Sequence, residues 1–407
     1  LDTNILEPNF LEKFSRYHKS IVQIEQQRDL LLFSLIYDNS IYYNEFCEKY
    51  KIRGYYREFD LTNARALFIP YEDLSNNISK TPSNQFMNNN EVYYVMYTGK
   101  LIYHSDFAAK KWISGHGNSA IWKNISFNEK DWLPEFIMPI GNLKHRWRGG
   151  IRLVCRDVTN SVNERTVIVS LIPAWPCSNK VPILVEEDEL DLVNTLKLFA
   201  VLSSFTFDYV CRTRMVAVNL NKFILDELPI PDLDSIPDEL AVLVARYALP
   251  NKIFAKTWDE LSIKFPQLLN KSWSKWFAID RAERSRLRAI VDTCVARAYG
   301  FDQDTNTLIS YILTPDSTRP KSFNKFDSDV SDFARLPQLI ISCFNEFSNS
   351  DISDLIDQQL LGNWALPNEV HDVLMENMES QDHLDWKECE KLSAMFNEKL
   401  LFEEEMS

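Results

Sequence analysis

The chain has 407 residues, only 9 of them glycine, with 45% hydrophobic residues and a formal charge of −14, and glycine this far below its ordinary share of roughly 7% makes glycine-built phosphate or cofactor loops unexpected. The acidity is local: residues 321–407 hold 19 Asp or Glu against 6 Lys or Arg, whereas residues 99–165 carry a net charge of +5. The longest apolar run, Leu30 to Tyr37, is interrupted by Ser34 and falls far short of the ~18 residues a spanning helix needs, and no basic, apolar leader precedes the fold, so a cytoplasmic protein with no membrane contact is expected.

Phe10, Phe14, Tyr17, Ile21, Ile24, Leu31 and Leu35 recur at helical spacing, which predicts a helix or broken helix pair over residues 9–37, stopped by Asp38, Asn39 and Ser40. From Ile52 to about Ile183 short β-branched and aromatic runs alternate with polar turns, predicting strands at Tyr93 to Tyr97, Ile151 to Cys155 and Val167 to Ile172. Six of the nine glycines fall in residues 99–150, where turns must be tight, and the polar tract Ser75 to Asn90 predicts a surface loop. Glu186 to Arg212 returns to helical periodicity with an acidic start and a basic end. Three prolines between Leu228 and Glu239 mark the best domain boundary. Helices are predicted beyond it at Glu239 to Tyr247, Asp280 to Tyr299, Asn306 to Leu313, Ser328 to Phe347 and from Glu369 onward.

Seven cysteines with no close pair, and six histidines without HExxH spacing, indicate neither a disulfide framework nor a zinc site. No carboxylate pair, nucleophile–base set or metal cluster can be assigned. The basic stretch includes Lys144, His145, Arg146 and Arg148, and a local basic patch on a nearly neutral body suits contact with phosphates, a solvated basic surface being the alternative.

Four blocks stand in order between Arg57 and Pro231: REFDLTNARALF (Arg57 to Phe68), YTGKLIYHSDF (Tyr97 to Phe107), IRLVCRDVTNSVNERTVIVSLIP (Ile151 to Pro173) and LSSFTFDYVCRTRMVAVNLNKFILDELPIP (Leu202 to Pro231). A fifth, RSRLRAIVDTCVARAYGFDQDTNTLISYIL, spans Arg284 to Leu313. Together they resemble the carboxy-terminal half of the large N6-adenine DNA methyltransferases of type IIG restriction-modification and related phage-defence systems. The run Asn163 to Thr166 carries the most specific part of that likeness. The resemblance implies an α+β DNA target recognition domain at 41–231, preceded by a helical connector at 1–40 and followed by a helical domain at 232–320 and an acidic helical segment at 321–407. It further implies double-stranded DNA as partner, a methyltransferase domain in cis on the amino-terminal side, and S-adenosylmethionine as the cofactor of that parent enzyme. This chain itself shows no glycine-rich S-adenosylmethionine loop, no NPPY-like run to hold a flipped adenine and no PD-(D/E)xK carboxylate set, so no cofactor and no catalytic residue are expected in it. Leu1 in place of methionine reads as the cut edge of the longer enzyme.

Lys and Arg hold phosphates, while Arg, Asn and Gln read base edges. On that ground Lys100, His104, Lys110, Lys111, Arg146, Arg148, Arg212, Arg214, Asn219 and Asn221 are the candidate DNA contacts, with Trp112, Trp122 and Trp147 interleaved. Arg152, Arg156, Glu164 and Arg165 are expected to fix the register of a hairpin through cross-strand pairs. Arg57, Asp60, Thr62 and Asn63 suit either a closed turn or a contact, and Arg212 and Arg214 suit either DNA or a helix carboxy terminus. After the glycine–lysine turn, Ser105, Asp106, Phe107 and Ala108 depart from the Phe-Asp-His-Arg-like run of the family. A competing reading is a protein-interaction subunit of a defence assembly, docking through the acidic helical end with Leu336, Leu339, Ile340 and Phe344 as its apolar face.

Overall fold

The computed structural model describes residues 12–18, 22, 24, 27–74, 78–81, 85–89, 91–143, 149–161, 163–215, 218–302, 305–313, 335–346 and 384–404. Helix α1 (Gln27–Asp38) leads through strand β1 (Ser40–Tyr42) into helix α2 (Tyr43–Tyr50). Next come β2 (Ile69–Pro70), the single turn α3 (Tyr71–Leu74), β3 (Ser79–Lys80), β4 (Phe86–Asn88), β5 (Glu91–Val95), β6 (Lys110–Ser114), β7 (Ile121–Asn124), β8 (Phe136–Pro139), β9 (Ile151–Cys155), β10 (Val169–Pro173) and β11 (Ile183–Val185). Helices α4 (Leu192–Ser203), α5 (Phe205–Arg212) and the short α6 (Lys222–Leu225) precede β12 (Pro229–Pro231), and the rest is helical: α7 (Leu240–Ala248), α8 (Ala255–Lys264), α9 (Arg281–Ala298), α10 (Asn306–Leu313), α11 (Leu336–Glu346) and α12 (Trp386–Glu404). Helices together with several small sheets make this a mixed α+β protein. No helix among the described residues is long and apolar enough to cross a membrane.

Strand order in the largest sheet is β2-β8-β5-β4-β3, antiparallel throughout. A second sheet, β10-β9-β11, is also antiparallel, and every residue of its three strands is buried. Strands covered on both faces read as near-continuous apolar runs, and Ile151 to Cys155 does so except at Arg152, a buried cation held by Glu58 and Glu186. Helix α4 packs on β10, and the Trp175 ring beyond β10 stacks on Tyr94 of β5 at 6.0 Å, joining the two sheets. The Ser75 to Asn90 tract, expected as a loop, contains β3 and β4, because Phe86 is buried and anchors the edge of the large sheet.

The helix expected over Glu186 to Arg212 is two helices. Ser204 is extended, with φ −72° and ψ 156°, and its hydroxyl accepts the Phe207 N–H at 3.2 Å, so it caps α5 and ends α4. Asp191 and Asp280 cap α4 and α9 in the same way. Helix α1 ends at Asp38 as expected, but its buried face differs: Leu31 is 57% exposed, while Asp29 lies inside with Leu32, Phe33, Ile36 and Tyr37. The Asp29 carboxylate accepts the Tyr209 hydroxyl at 2.6 Å and the Tyr311 hydroxyl at 2.9 Å, and those two bonds let a charge occupy a core position.

The proline-rich segment from Leu228 is not an exposed linker. β12 pairs antiparallel with β1 and all three of its residues are buried; as half of a two-stranded pair it has free edges, where prolines are tolerated. One contiguous apolar cluster runs from Phe14 through Ile230 to Leu392. Helix α7, buried along its whole length, packs against α4 and α9, while α11 lies on α9 and α12 on α8. Leu336, Leu339, Ile340 and Phe344 of α11 are all buried there, so the apolar face expected for partner docking already covers α9. Most of the acidic segment 321–407 lies outside the described residues.

Candidate nucleic-acid interface

Strands β6 and β7 form a two-stranded antiparallel ribbon with Lys110 opposite Asn124, Lys111 opposite Lys123 and Trp112 opposite Trp122. The Trp pair faces the body: Trp112 is buried and donates its indole N–H to the Gly115 carbonyl at 2.7 Å. Backbone bonds from Trp112 N–H to Leu133 and from Ile125 N–H to Ala109 hold the base of the ribbon. At its tip Gly115 has φ +76°, and a Cβ there would lie 2.8 Å from the Ser119 carbonyl oxygen, so this turn requires glycine. The Gly117 N–H is fixed by the Glu135 carboxylate at 2.7 Å.

Lysines 111 and 123 are direct cross-strand neighbours of like charge, and among the described residues neither has a carboxylate partner. Such a pair destabilises a ribbon unless an anion lies against it. Lys110, also without a carboxylate partner, is exposed on the same strand. Lys100 reaches the ribbon from the preceding turn, donating to the Gly117 carbonyl at 3.3 Å and lying 5.9 Å from the centre of the Trp122 ring. Three of the candidate contacts, Lys100, Lys110 and Lys111, therefore converge on one ribbon.

Beside Lys100 a second, partly neutralised group begins. A Cβ on Gly99 would lie 3.7 Å from the Lys180 Cβ and 3.8 Å from the Arg156 Nε. Lys180 and Arg57 both bind the buried Asp157 carboxylate, at 3.2 and 2.8 Å. Asn219 bridges to Val158 and the Leu220 N–H bonds to the Asp157 carbonyl, which places Asn219 and the nearby Asn221 along this edge.

The other candidates are held within the protein. His104 is buried, with its Nδ1 3.3 Å from the Val167 carbonyl. Burial, reinforced by Arg165 and Arg288, holds the imidazole pKa well below its ordinary value and keeps the ring neutral. Arg212 binds Asp208 at 2.6 Å and donates to the Ser161 and Glu164 carbonyls. Asp208 also accepts the Thr166 and Val167 N–H groups at 2.7 and 2.8 Å, so the Asn163 to Thr166 block is clamped to α5 and serves as scaffold. Arg214 forms a buried pair with Glu227 at 3.0 Å, and Glu227 accepts Ser15 and the Tyr17 and His18 N–H groups at 2.7 Å each, pinning residues 15–18. Arg212 lies in the last turn of α5, the helix-end position expected for it. Arg146 and Arg148, with Lys144, His145 and Trp147, lie outside the described residues.

Arg152 and Arg165 are structural, though not through pairs within the β9–β10 hairpin: Arg152 binds Glu58 at 3.0 Å and Glu186 just beyond the neighbouring strand β11, and Arg165 lies over the Phe205 ring and 3.9 Å from Asp292 of α9. Asp60 closes its turn by accepting the Thr62 and Asn63 N–H groups at 2.9 and 2.8 Å, and those bonds lower its pKa. In the run Ser105 to Ala108, Asp106 binds the buried Lys130 at 2.6 Å while Phe107 packs on Trp132 and Phe254. Lys123 is the residue that sequence reasoning missed. The signal for it was the matched pair of tryptophans, Trp112 and Trp122, which sets Lys123 opposite Lys111 once they are placed across from each other.

No protein-family model matches the chain and no curated protein is similar to it.

Proposed function

We propose that this chain recognises duplex DNA as the specificity half of an N6-adenine DNA methyltransferase. In this reading residues 41–231 form the α+β target recognition domain, 1–40 connect it to a methyltransferase domain in cis, 232–320 form a helical domain, and 321–407 an acidic helical segment. Adenine methylation and S-adenosylmethionine belong to that other domain. The observation that carries DNA contact is the Lys111–Lys123 pair, two like charges held side by side on an anchored ribbon with no carboxylate among the described residues to neutralise them. Lys100 and Lys110 add positive charge to the same ribbon on its tryptophan side. A DNA backbone supplies the complementary charges, and counterion release makes the binding depend on salt.

The test is fluorescence anisotropy with a duplex across a salt series, comparing the natural chain with Lys111→Gln/Lys123→Gln and with a control, Lys49→Gln/Lys252→Gln. Each lost phosphate contact lowers the slope of log affinity against log salt by about 0.9, so the ribbon variant loses about 2 and the control nothing. Absence of binding at low salt, or equal slopes for all three proteins, refutes the reading.

A further inference from the structure

The DNA-binding reading is the basis here, and the face of the ribbon says what it would touch. Side chains alternate across a strand, so the side away from Trp112 and Trp122 carries Lys111 and Ile113 from β6 and Ile121 and Lys123 from β7. A bulge between Trp112 and Ser114 leaves Ile113 without a cross-strand partner and turns it outward. Ile113 is 47% exposed and Ile121 59%. Both are β-branched and stiff at χ1, so ordering them against a ligand costs little entropy. The repelling lysine pair forms one row across this face and the two exposed isoleucines the next row toward the ribbon tip, so its complement is apolar beneath the tip and anionic beside it.

The major groove of B-DNA has that character. It admits a two-stranded ribbon, its walls are phosphates, and its one apolar base-edge group is the thymine C5-methyl. We infer that the β6–β7 ribbon enters the major groove of duplex DNA, with Ile113 and Ile121 packing on thymine methyl groups while Lys111 and Lys123 hold the flanking phosphates. An apolar protein surface would leave the lysine pair unneutralised. An anionic bilayer would accept both residue types, and so forms one arm of the test.

Duplexes bound by the full chain are selected from a randomised pool at low salt. The affinity of a selected duplex is then compared with that of the same duplex carrying uracil in place of thymine, which removes only the methyl groups. Burial of one methyl-sized group corresponds to about a 4-fold change in affinity. The expected result is a loss of about 4-fold to 15-fold on uracil substitution with the salt slope unchanged. Ile113→Ala/Ile121→Ala is expected to bind the thymine duplex more weakly by a similar factor and no longer to distinguish the two. Salt-dependent DNA binding with equal affinity for thymine and uracil duplexes overturns the groove assignment and leaves the DNA reading intact. Failure to bind any duplex overturns both. Isoleucine-dependent binding to phosphatidylserine vesicles, without discrimination between the duplexes, reassigns the ribbon to a lipid surface and also overturns the inference.

Discussion

Replacing Lys123 by glutamate is expected to stabilise the protein while weakening the proposed contact with DNA. Lys123 stands directly opposite Lys111 on adjacent strands, and both ammonium groups reach water. Two unit charges about 7 Å apart in a water-like dielectric repel by about 0.6 kcal/mol, within the range of 0.2–1 kcal/mol for cross-strand pairs. Lys123→Glu turns that repulsion into an attraction of similar size, a gain of about 1 kcal/mol. With an unfolding entropy of about 2.1 cal/mol/K per residue, a chain of this length would melt about 1 °C higher. Differential scanning fluorimetry at low salt and at about 1 M salt, where the Debye length falls to about 3 Å, separates this from a packing effect, because the gain must vanish in the high-salt scan. Anisotropy on the same variant should show weaker DNA binding with a shallower salt slope. A melting temperature that falls at low salt, or a gain that persists at high salt, refutes the claim that the lysine pair is an unrelieved repulsion.

The buried His104 makes stability depend on pH. Its folded pKa is depressed well below the unfolded value of about 6.5, so its contribution is present above pH ~6.5 and is lost as pH falls below it, where only the unfolded chain takes up the proton; urea melts from pH 7.5 down to 5.5 should show the decline, and His104→Gln should flatten it. Arg214→Met leaves the Glu227 carboxylate buried without its guanidinium, which should cost about 3–5 kcal/mol in a urea melt. Asp208→Asn puts an amide N–H₂ where a carboxylate oxygen accepts either two backbone N–H groups or Arg212; a loss of about 1–3 kcal/mol and faster hydrogen exchange at residues 159–167 are expected. Phe344→Ala should lower stability by about 3–5 kcal/mol, as a residue packed against α9 requires; an unchanged melt would return α11 to the role of a free docking face.

Where one physical signal dominates, the sequence was readable. β9, expected from its short β-branched and apolar run, is fully buried even though Arg152 stands in it, and α9 and α10 fall within a residue of their expected ends because Asp280 caps the first and helical periodicity marks the second. Local chemistry of another kind hid the rest. A serine hydroxyl split one expected helix at Ser204, and two tyrosine hydroxyls drew Asp29 into a face that periodicity assigns to Leu31. At the candidate site, a basic side chain's role depends on whether a carboxylate from a distant segment meets it. Arg214 and Glu227 lie 13 residues apart, yet the residues they secure, 15–18, are some 200 positions earlier, and nothing in the local sequence marks that closure.

That dependence explains how a surface can be separated from scaffold in a stretch rich in both. Between residues 99 and 215 most described cations have carboxylate partners: Lys130 with Asp106, Arg152 with Glu58 and Glu186, Arg165 with Asp292, Lys180 with Asp157, Lys197 with Asp238, Arg212 with Asp208 and Arg214 with Glu227. Several of these are buried, and removing one partner of a buried pair is far more costly than removing an exposed charge. Among the described residues there, the cations without a carboxylate partner are Lys100, Lys110, Lys111, Lys123 and Arg156, and four of these five lie on the β6–β7 ribbon or against it. Folding alone does not favour such an arrangement, since the ribbon would be more stable with a glutamate at one of these positions. A ligand that supplies the missing negative charge does favour it, and the unpaired lysines are therefore the place where binding and stability should respond in opposite directions to the same substitution.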